Sequence, residues 1–350
     1  MNQIKPNFKI QEYGGDKYKI YSWICNKTGK TFEAWYANGL IPLCPCCHPK
    51  EGTNIENHII SFLKKHEIDY QFRNRSILGD GSELDFYIPI KNVAIEVHGL
   101  YWHTERKIME RGKNPRLYHL SKLESSEKNN IRLIQIFSDE ILNHPRIVEN
   151  RLKTILGIKK RTIGARECVV RILDTKTKSI FLEKYHIQGD DRSSICLGLF
   201  YKNRLVSVMT FAKPRLVMGH KNPPTGSYEL LRFCSNFHFS VVGGASKLLN
   251  FFKQNYEWTS IITYADRRWS VGNLYKKLGF NFSHNSSPNY FYTKNYNFRE
   301  YRYKYNKAVL VKKFPQLKEY SERIIMDSLG YERIYDCGHA SFNLINSKNV

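Results

Sequence analysis

Glu83-Leu84-Asp85-Phe86-Tyr87-Ile88 and Val93-Ala94-Ile95-Glu96-Val97-His98-Gly99-Leu100-Tyr101-Trp102-His103 carry the most decisive pattern in this 350-residue chain. Each stretch reads as a short apolar strand interrupted by acid. Asp85 lies on the first, Glu96 on the second, and His98 two residues beyond Glu96. A carboxylate in a buried strand is costly unless it is paired or holds a cation. Two on adjacent strands, beside two histidines, predict one hard-metal site with acid/base groups next to it. Mg2+ or Mn2+ takes oxygen ligands, and Asp85, Glu96 and the carbonyl of Val97 are the candidate donors. His98 or His103 is then available to polarise a water, protonate a leaving oxygen or steady a phosphate. Gly99 permits close backbone approach. Trp102 offers a face to stack on DNA.

Working outward, residues 51–157 read as one α/β unit. Thr53-Asn54-Ile55-Glu56 is a capping-box pattern opening a helix to about Lys65. Glu56 is either the N3 cap residue or a further carboxylate reaching the Asp85 site. A polar helix is expected from about Leu117 to Asn129, a buried strand over Ile131–Phe137, and a last helix from about His144 to Gly157. Helix–strand–strand–helix–strand makes a small sheet covered by helices.

On these residues the chain resembles known nucleases. Asp85 followed by Glu96-Val97-His98 resembles the PD-(D/E)XK pattern, with His98 where lysine is usual. His98-Gly99-Leu100-Tyr101-Trp102-His103 resembles the His-Gly-x-Phe-Trp-His string of very short patch repair (Vsr) endonucleases, a domain shared with a group of phage homing endonucleases. The resemblance implies that Asp85 holds the metal and that His103 is catalytic. The repair enzymes lack Glu96 and place an aspartate on the later helix. Here that helix reads Leu117-Tyr118-His119-Leu120-Ser121-Lys122, so Lys122 or His119 is the substitute.

Residues 1–50 read as a zinc-finger-like module. Two short strands flank the turn Asn26-Lys27-Thr28-Gly29-Lys30, and Cys44-Pro45-Cys46-Cys47-His48 follows. Such a knuckle points thiolates at one centre. The first knuckle supplies only Cys25, so a Zn2+ site would take Cys25, Cys44 and Cys47 with His48 or Cys46. Cys168, Cys196, Cys234 and Cys337 are scattered through apolar or mixed segments and are expected to be reduced and buried.

Residues 158–350 carry most of the charge. The chain's formal net charge is +23. Residues 1–157 hold 23 Lys and Arg against 18 Asp and Glu, whereas residues 158–350 hold 32 against 14. Double-stranded DNA is the natural counterpart of such a surface. Gly243-Gly244-Ala245 opening a helix, with Asn273-Leu274-Tyr275-Lys276-Lys277-Leu278-Gly279-Phe280, resembles the two signature segments of the GNAT acyltransferase fold. There the first loop binds coenzyme A. Its usual first residue is Gln or Arg, and here it is Ser240, which argues for a retired fold that grips DNA. Tyr264-Ala265-Asp266-Arg267-Arg268-Trp269-Ser270 resembles DNA-modification proteins of the Mom type. Arg267, Arg268, Arg299 and Arg302, with Lys122 from the middle unit, are the expected DNA contacts.

The expectation is thus an α/β and α+β multidomain protein: a finger-like module (1–50), a Vsr-like PD-(D/E)XK nuclease core (51–157) and a GNAT-like mixed-sheet domain (158–350). No apolar run approaches the ~20 residues that span a bilayer, and no apolar leader opens the sequence, so a cytoplasmic protein is expected, in the bacterial host if phage-encoded. The expected activity is metal-dependent hydrolysis of double-stranded DNA. The rivals are acyl transfer to a DNA base and DNA binding without cleavage.

Overall fold

A computed structural model describes residues 4–6, 20–35, 53–214 and 224–346. The chain divides into two compact units, Met1–Ile60 and Ser61–Val350.

In the first unit, strands Ile4–Pro6, Ile20–Cys25 and Thr31–Trp35 form an antiparallel sheet in that order. The expected turn is present. Gly29 adopts a left-handed φ of +68° and donates to Cys25 O at 2.7 Å. Trp23 and Cys25 are buried. Cys44, Cys46, Cys47 and His48 lie outside the described residues. The capping box opens the helix Glu56–Lys65: Thr53 N donates to Glu56 Oε2, and Glu56 N donates to Thr53 Oγ1.

The second unit contains the three expected strands in a sheet of four, ordered Gln71–Asn74, Leu84–Ile88, Val93–His98, Arg132–Phe137; the edge strand Gln71–Asn74 is an addition to the sequence expectation. The first three strands are antiparallel and the last is parallel to its neighbour. Leu84, Phe86 and Ile88 are buried in strict alternation with Asp85 and Tyr87, as a strand with one face on a core requires. Val93–His98 sits in the middle of the sheet and is buried almost throughout.

A seven-stranded sheet follows. Its order is Asn281–Asn285, His339–Ile345, Ser260–Asp266, Ser227–Ser235, Arg204–Ala212, Ile195–Tyr201, Cys168–Ile172. Only Ser227–Ser235 and Ser260–Asp266 run parallel, and they pair only from Ser227 opposite Ser260 to Leu230 opposite Thr263 before separating. The helix Gly244–Asn255 makes the crossover between them and buries Leu248, Leu249 and Phe252. Phe252 stacks on Phe211 with centroids 3.9 Å apart. Gly272 is obligatory: φ is +73°, and a Cβ there would fall 2.1 Å from Phe342 Cζ.

Residues 286–338 are an insertion in this sheet. The chain leaves after Asn281–Asn285 and builds a second small sheet, ordered Arg299–Tyr301, Tyr290–Thr293, Glu332–Tyr335. It adds the helices Lys307–Lys313 and Glu322–Ser328 around Tyr292, Leu310, Ile325 and Met326. It then returns as His339–Ile345. This insertion clamps the four-stranded sheet. Ile334 packs with Leu100 and Phe137, and Cys337 joins the core of Leu78, Leu84, Ala94, Leu123 and Leu133. Arg106 pairs with Glu332 at 2.7 Å and Arg333 with Glu105 at 2.5 Å.

Between the two large sheets lies a buried knot of ions. Arg268 donates to Glu140 through both terminal nitrogens (3.1 Å each) and to Asp266 at 2.7 Å. Arg299 pairs with Asp139 at 3.0 Å and with Glu140 at 3.2 Å. Both guanidinium groups lie over the Phe137 ring. Backbone bonds join the same segments, Gln135 N donating to Arg268 O at 3.1 Å. Burial pushes the Glu140 carboxyl up, but Arg268 and Arg299 outweigh it and hold it at about 2.

Removing one partner of a buried pair leaves uncompensated charge and costs about 3–5 kcal/mol. Glu140→Ala is therefore expected to lower the urea midpoint of tryptophan fluorescence by an amount of that order. Glu110→Ala, which touches only the exposed pairs with Arg106 and Lys107, should leave the midpoint in place. Equal effects of the two would contradict the knot's role.

Candidate functional site

The site grows from the register of two strands. Phe86 lies opposite Ile95, which sets Asp85 beside Glu96 and Val97 across the pair. Asp85 N donates to Glu96 Oε1 at 2.9 Å, and Val97 N donates to Asp85 Oδ2 at 2.8 Å. The two carboxylates thus each accept from the opposite strand's backbone. Lys122, on the helix Tyr118–Lys128, reaches Glu96 Oε2 at 2.5 Å. Glu96 is 3 % exposed. Burial pushes its pKa up and outweighs the lowering by Lys122 and by the Asp85 amide. The site is short of positive charge even with its lysine.

Three histidines adjoin it. His98 closes the Val93–His98 strand, His103 ends the short turn Tyr101–His103, and His119 is in the first turn of the Tyr118–Lys128 helix. His103 Nδ1 and His119 Nε2 are 2.8 Å apart. His119 Nδ1 faces Tyr335 O at 2.8 Å. A carbonyl only accepts, so His119 carries its proton on Nδ1 and offers the Nε2 lone pair to His103 Nδ1–H. His98 Nε2 is 2.9 Å from Gln135 Oε1. The Gln135 amide donates to His119 O at 3.0 Å and to Cys337 Sγ at 3.2 Å, which turns its oxygen toward His98. His98 therefore holds its proton on Nε2.

Burial depresses all three pKa values. His98 and His103 fall well below 6.5, each further lowered by its histidine neighbours. His119 falls to about 3: burial leads, Arg268, Arg299 and Lys122 add, and the Tyr335 carbonyl opposes. All three imidazoles are neutral at pH 7.

Of the residues singled out from sequence, Asp85, Glu96, Val97, His98, His103 and Lys122 come together here. Trp102 stands beside them, 61 % exposed. Glu56 belongs to the other unit, where its carboxylate caps its own helix. Cys25 is buried at a strand end, while its expected partners Cys44, Cys47 and His48 lie outside the described residues. Three of the arginines expected to contact DNA are engaged in internal ion pairs. Arg268 and Arg299 are locked in the buried knot, and Arg267, 9 % exposed, pairs with Glu127 at 3.3 Å. Only Arg302 of the four is exposed, lying over Tyr290 at 4.6 Å. Sequence reasoning missed Gln135, Cys337 and Tyr335. A glutamine inside Ile131–Phe137 was a visible signal, whereas a carbonyl at position 335 carries none.

The glycine turn that would seat coenzyme A in the resembled fold is exposed at Val242 and Gly243. Gly243 takes φ +77° and caps the helix Gly244–Asn255. The strand Arg161–Gly164 pairs in parallel with Phe239–Val242. Ala165 Cβ lies 3.6 Å from where a Gly243 Cβ would be, and Lys247 Nζ donates to Ala165 O and Cys168 O.

No protein-family model and no curated protein matches the chain. Among solved structures, the catalytic domain of the homing endonuclease I-Bth0305I is similar over 30% of this chain and 96% of that one, at 23% identity and a TM-score of 0.24. An IAA acetyltransferase from Bacillus cereus is similar over 51% and 99%, at 13% identity and a TM-score of 0.28. A GNAT family acetyltransferase from Elizabethkingia anophelis with acetyl-CoA bound covers the same shares, at 10% identity and a TM-score of 0.28.

A histidine whose folded pKa lies below its unfolded value binds fewer protons when folded. Its stability contribution is complete above pH 6.5 and is lost as pH falls toward the folded value. For buried His98 and His119 the loss at about pH 5 amounts to about 2 kcal/mol each. Urea unfolding at pH 7 and at about pH 5 should show it, and His119→Asn should remove the His119 share of the difference. A pH-independent midpoint would contradict the neutral triad.

Proposed function

We propose that this chain is a divalent-metal-dependent endonuclease that hydrolyses phosphodiester bonds in double-stranded DNA. The observation that carries the reading is the convergence of Asp85 and Glu96, bridged through each other's backbone, with Lys122 and an oriented His103. The donor set suits a hard cation, since both side-chain donors are carboxylates. The charge balance suits it as well: Glu96 is destabilised as an anion where it stands, and a cation would supply what Lys122 alone does not. Asp85 and Glu96, with the Val97 backbone, would hold Mg2+ or Mn2+. The ion would stabilise negative charge at the phosphate and acidify a bound water.

The protein's own groups account for the rest. His103, donating from Nδ1 to His119, keeps a lone pair on Nε2. There it accepts a proton as a water oxygen bonds to phosphorus and the bond to the leaving oxygen breaks. Neutral His119, held by Tyr335 O, keeps the His103 ring in that orientation. Lys122 adds positive charge beside Glu96. Exposed Trp102 offers an aromatic face to DNA. A free-standing homing endonuclease of phage type is the biological form this reading favours.

Acyl transfer to a DNA base has less support, because Ser240 stands where the resembled loop usually has Gln or Arg. A DNA-binding regulator would leave the paired carboxylates and the oriented histidine without a role.

Plasmid and phage DNA incubated with wild type and Mg2+ or Mn2+ should be cut, and Asp85→Ala should abolish cutting while DNA binding persists. His103→Ala should slow it by about 10²–10⁴-fold, the usual worth of one acid/base group. Cutting by wild type and Asp85→Ala alike would point to another site. Binding without cutting under either metal would leave the regulator.

A further inference from the structure

Beside the carboxylates lies a second, chemically different donor set. One ring nitrogen each of His98, His103 and His119 lies within 4.8 Å of the others. The ring centroids are 4.3, 4.6 and 5.1 Å apart. His98 and His119 are buried and His103 is half-buried. A tetrahedral ion with nitrogen bonds near 2.0–2.1 Å wants its ligands about 3.4 Å apart. His103 Nδ1 and His119 Nε2, at 2.8 Å, would open slightly, and the wider pairs would close by about 1 Å.

We propose that His98, His103 and His119 form a binding site for a borderline transition-metal ion such as Zn2+, and that its occupation switches the nuclease off. Imidazole nitrogens select Zn2+, Co2+, Ni2+ or Cu2+ over Mg2+, so this site does not compete for the ion of the carboxylates. Two of the ligands already have the support that metal-bound histidines have. His119 donates from Nδ1 to a backbone carbonyl, and His98 donates from Nε2 to Gln135. Such outer partners fix the tautomer and the ring orientation. Each ring thus keeps one nitrogen unprotonated. Only His103 must change. Its Nδ1 proton now lies between the two rings, and ligation there moves that proton to Nε2. The switch follows at once: Nε2 then carries the proton and cannot accept another from water. The inhibitory half rests on the nuclease reading, and the binding half does not.

Co2+ is the probe, titrated into the full chain carrying Cys44→Ser and Cys47→Ser so that the cysteine cluster cannot supply the signal. The expected result is one bound equivalent with visible ligand-field bands and no near-ultraviolet thiolate charge-transfer band. His98→Gln and His119→Asn should each weaken binding by at least about 100-fold, with circular dichroism unchanged. The amide nitrogen introduced by His119→Asn stands near the Nδ1 position and can still donate to Tyr335 O, so loss in that variant reports the missing Nε2 ligand. Absent bands, or bands that survive in both folded variants, would falsify the site. One equivalent of Zn2+ added to a Mg2+-driven cleavage reaction should stop it. Unchanged cutting with Co2+ binding intact would overturn the switch alone, and no cutting before zinc is added would overturn the nuclease reading while the Co2+ spectra still decide the site.

Discussion

Arg268 is the constraint on which the rest of the second unit depends. A guanidinium cannot leave water unless its charge is balanced and its fork of donors is filled. Here Asp266 comes from the same chain segment and Glu140 from the helix that follows the edge strand of the four-stranded sheet. The pairing is satisfied only when the two large sheets meet in one orientation. Arg299 repeats the requirement from the insertion, using Asp139 and again Glu140. Glu140 thus ties three parts of the chain together, and the short helix Ser138–Asn143 that carries it follows directly on the strand of Gln135.

That geometry reaches the candidate site, through the Gln135 backbone bonded to Arg268 and through the Phe137 ring shared with His98 and His119. The insertion that supplies Arg299 also supplies Tyr335 O and Cys337, and these fix His119 and Gln135. Through them the orientations of His103 and His98 depend on residues more than 200 positions later in the chain. Here the acid/base groups are local, while the hydrogen bonds that assign their protons come from the C-terminal half.

The parts legible in the sequence are those governed by local pattern. Alternation over Leu84–Ile88 and the continuous apolar run Val93–Ile95 announced two paired strands, and two acids in such strands announced a site. The buried strand at Arg132–Phe137 and the helix that opens at Gly244 were legible for the same reason. Three features were not. The insertion reads as a basic tail, because its small core of Tyr292, Leu310, Ile325 and Met326 is spread over short elements with no strong period. His119 sits in a polar helix, and nothing local says that its ring turns inward. The arginines at 267, 268 and 299 carry the same sequence signal whether they face phosphate or carboxylate. Only the position of Glu127, Asp139 and Glu140 in space decides between them.

That last ambiguity changes where the charge of this chain is available. Of the net positive charge in residues 158–350, the arginines most suggestive of DNA contact are spent on internal ion pairs, where their fields are cancelled within a few ångströms. What remains for a polyanion is the exposed set. On the insertion it includes Arg302, Lys304, Lys307, Lys312 and Lys313, all open to solvent and gathered on one short stretch of chain. Lys304 is engaged only loosely, 3.6 Å from Glu300. Long-range attraction depends on uncompensated charge and not on total composition. The same insertion therefore has two separable duties in this reading: its buried arginine holds the sheets together, and its exposed lysines carry the field that a phosphate backbone would meet.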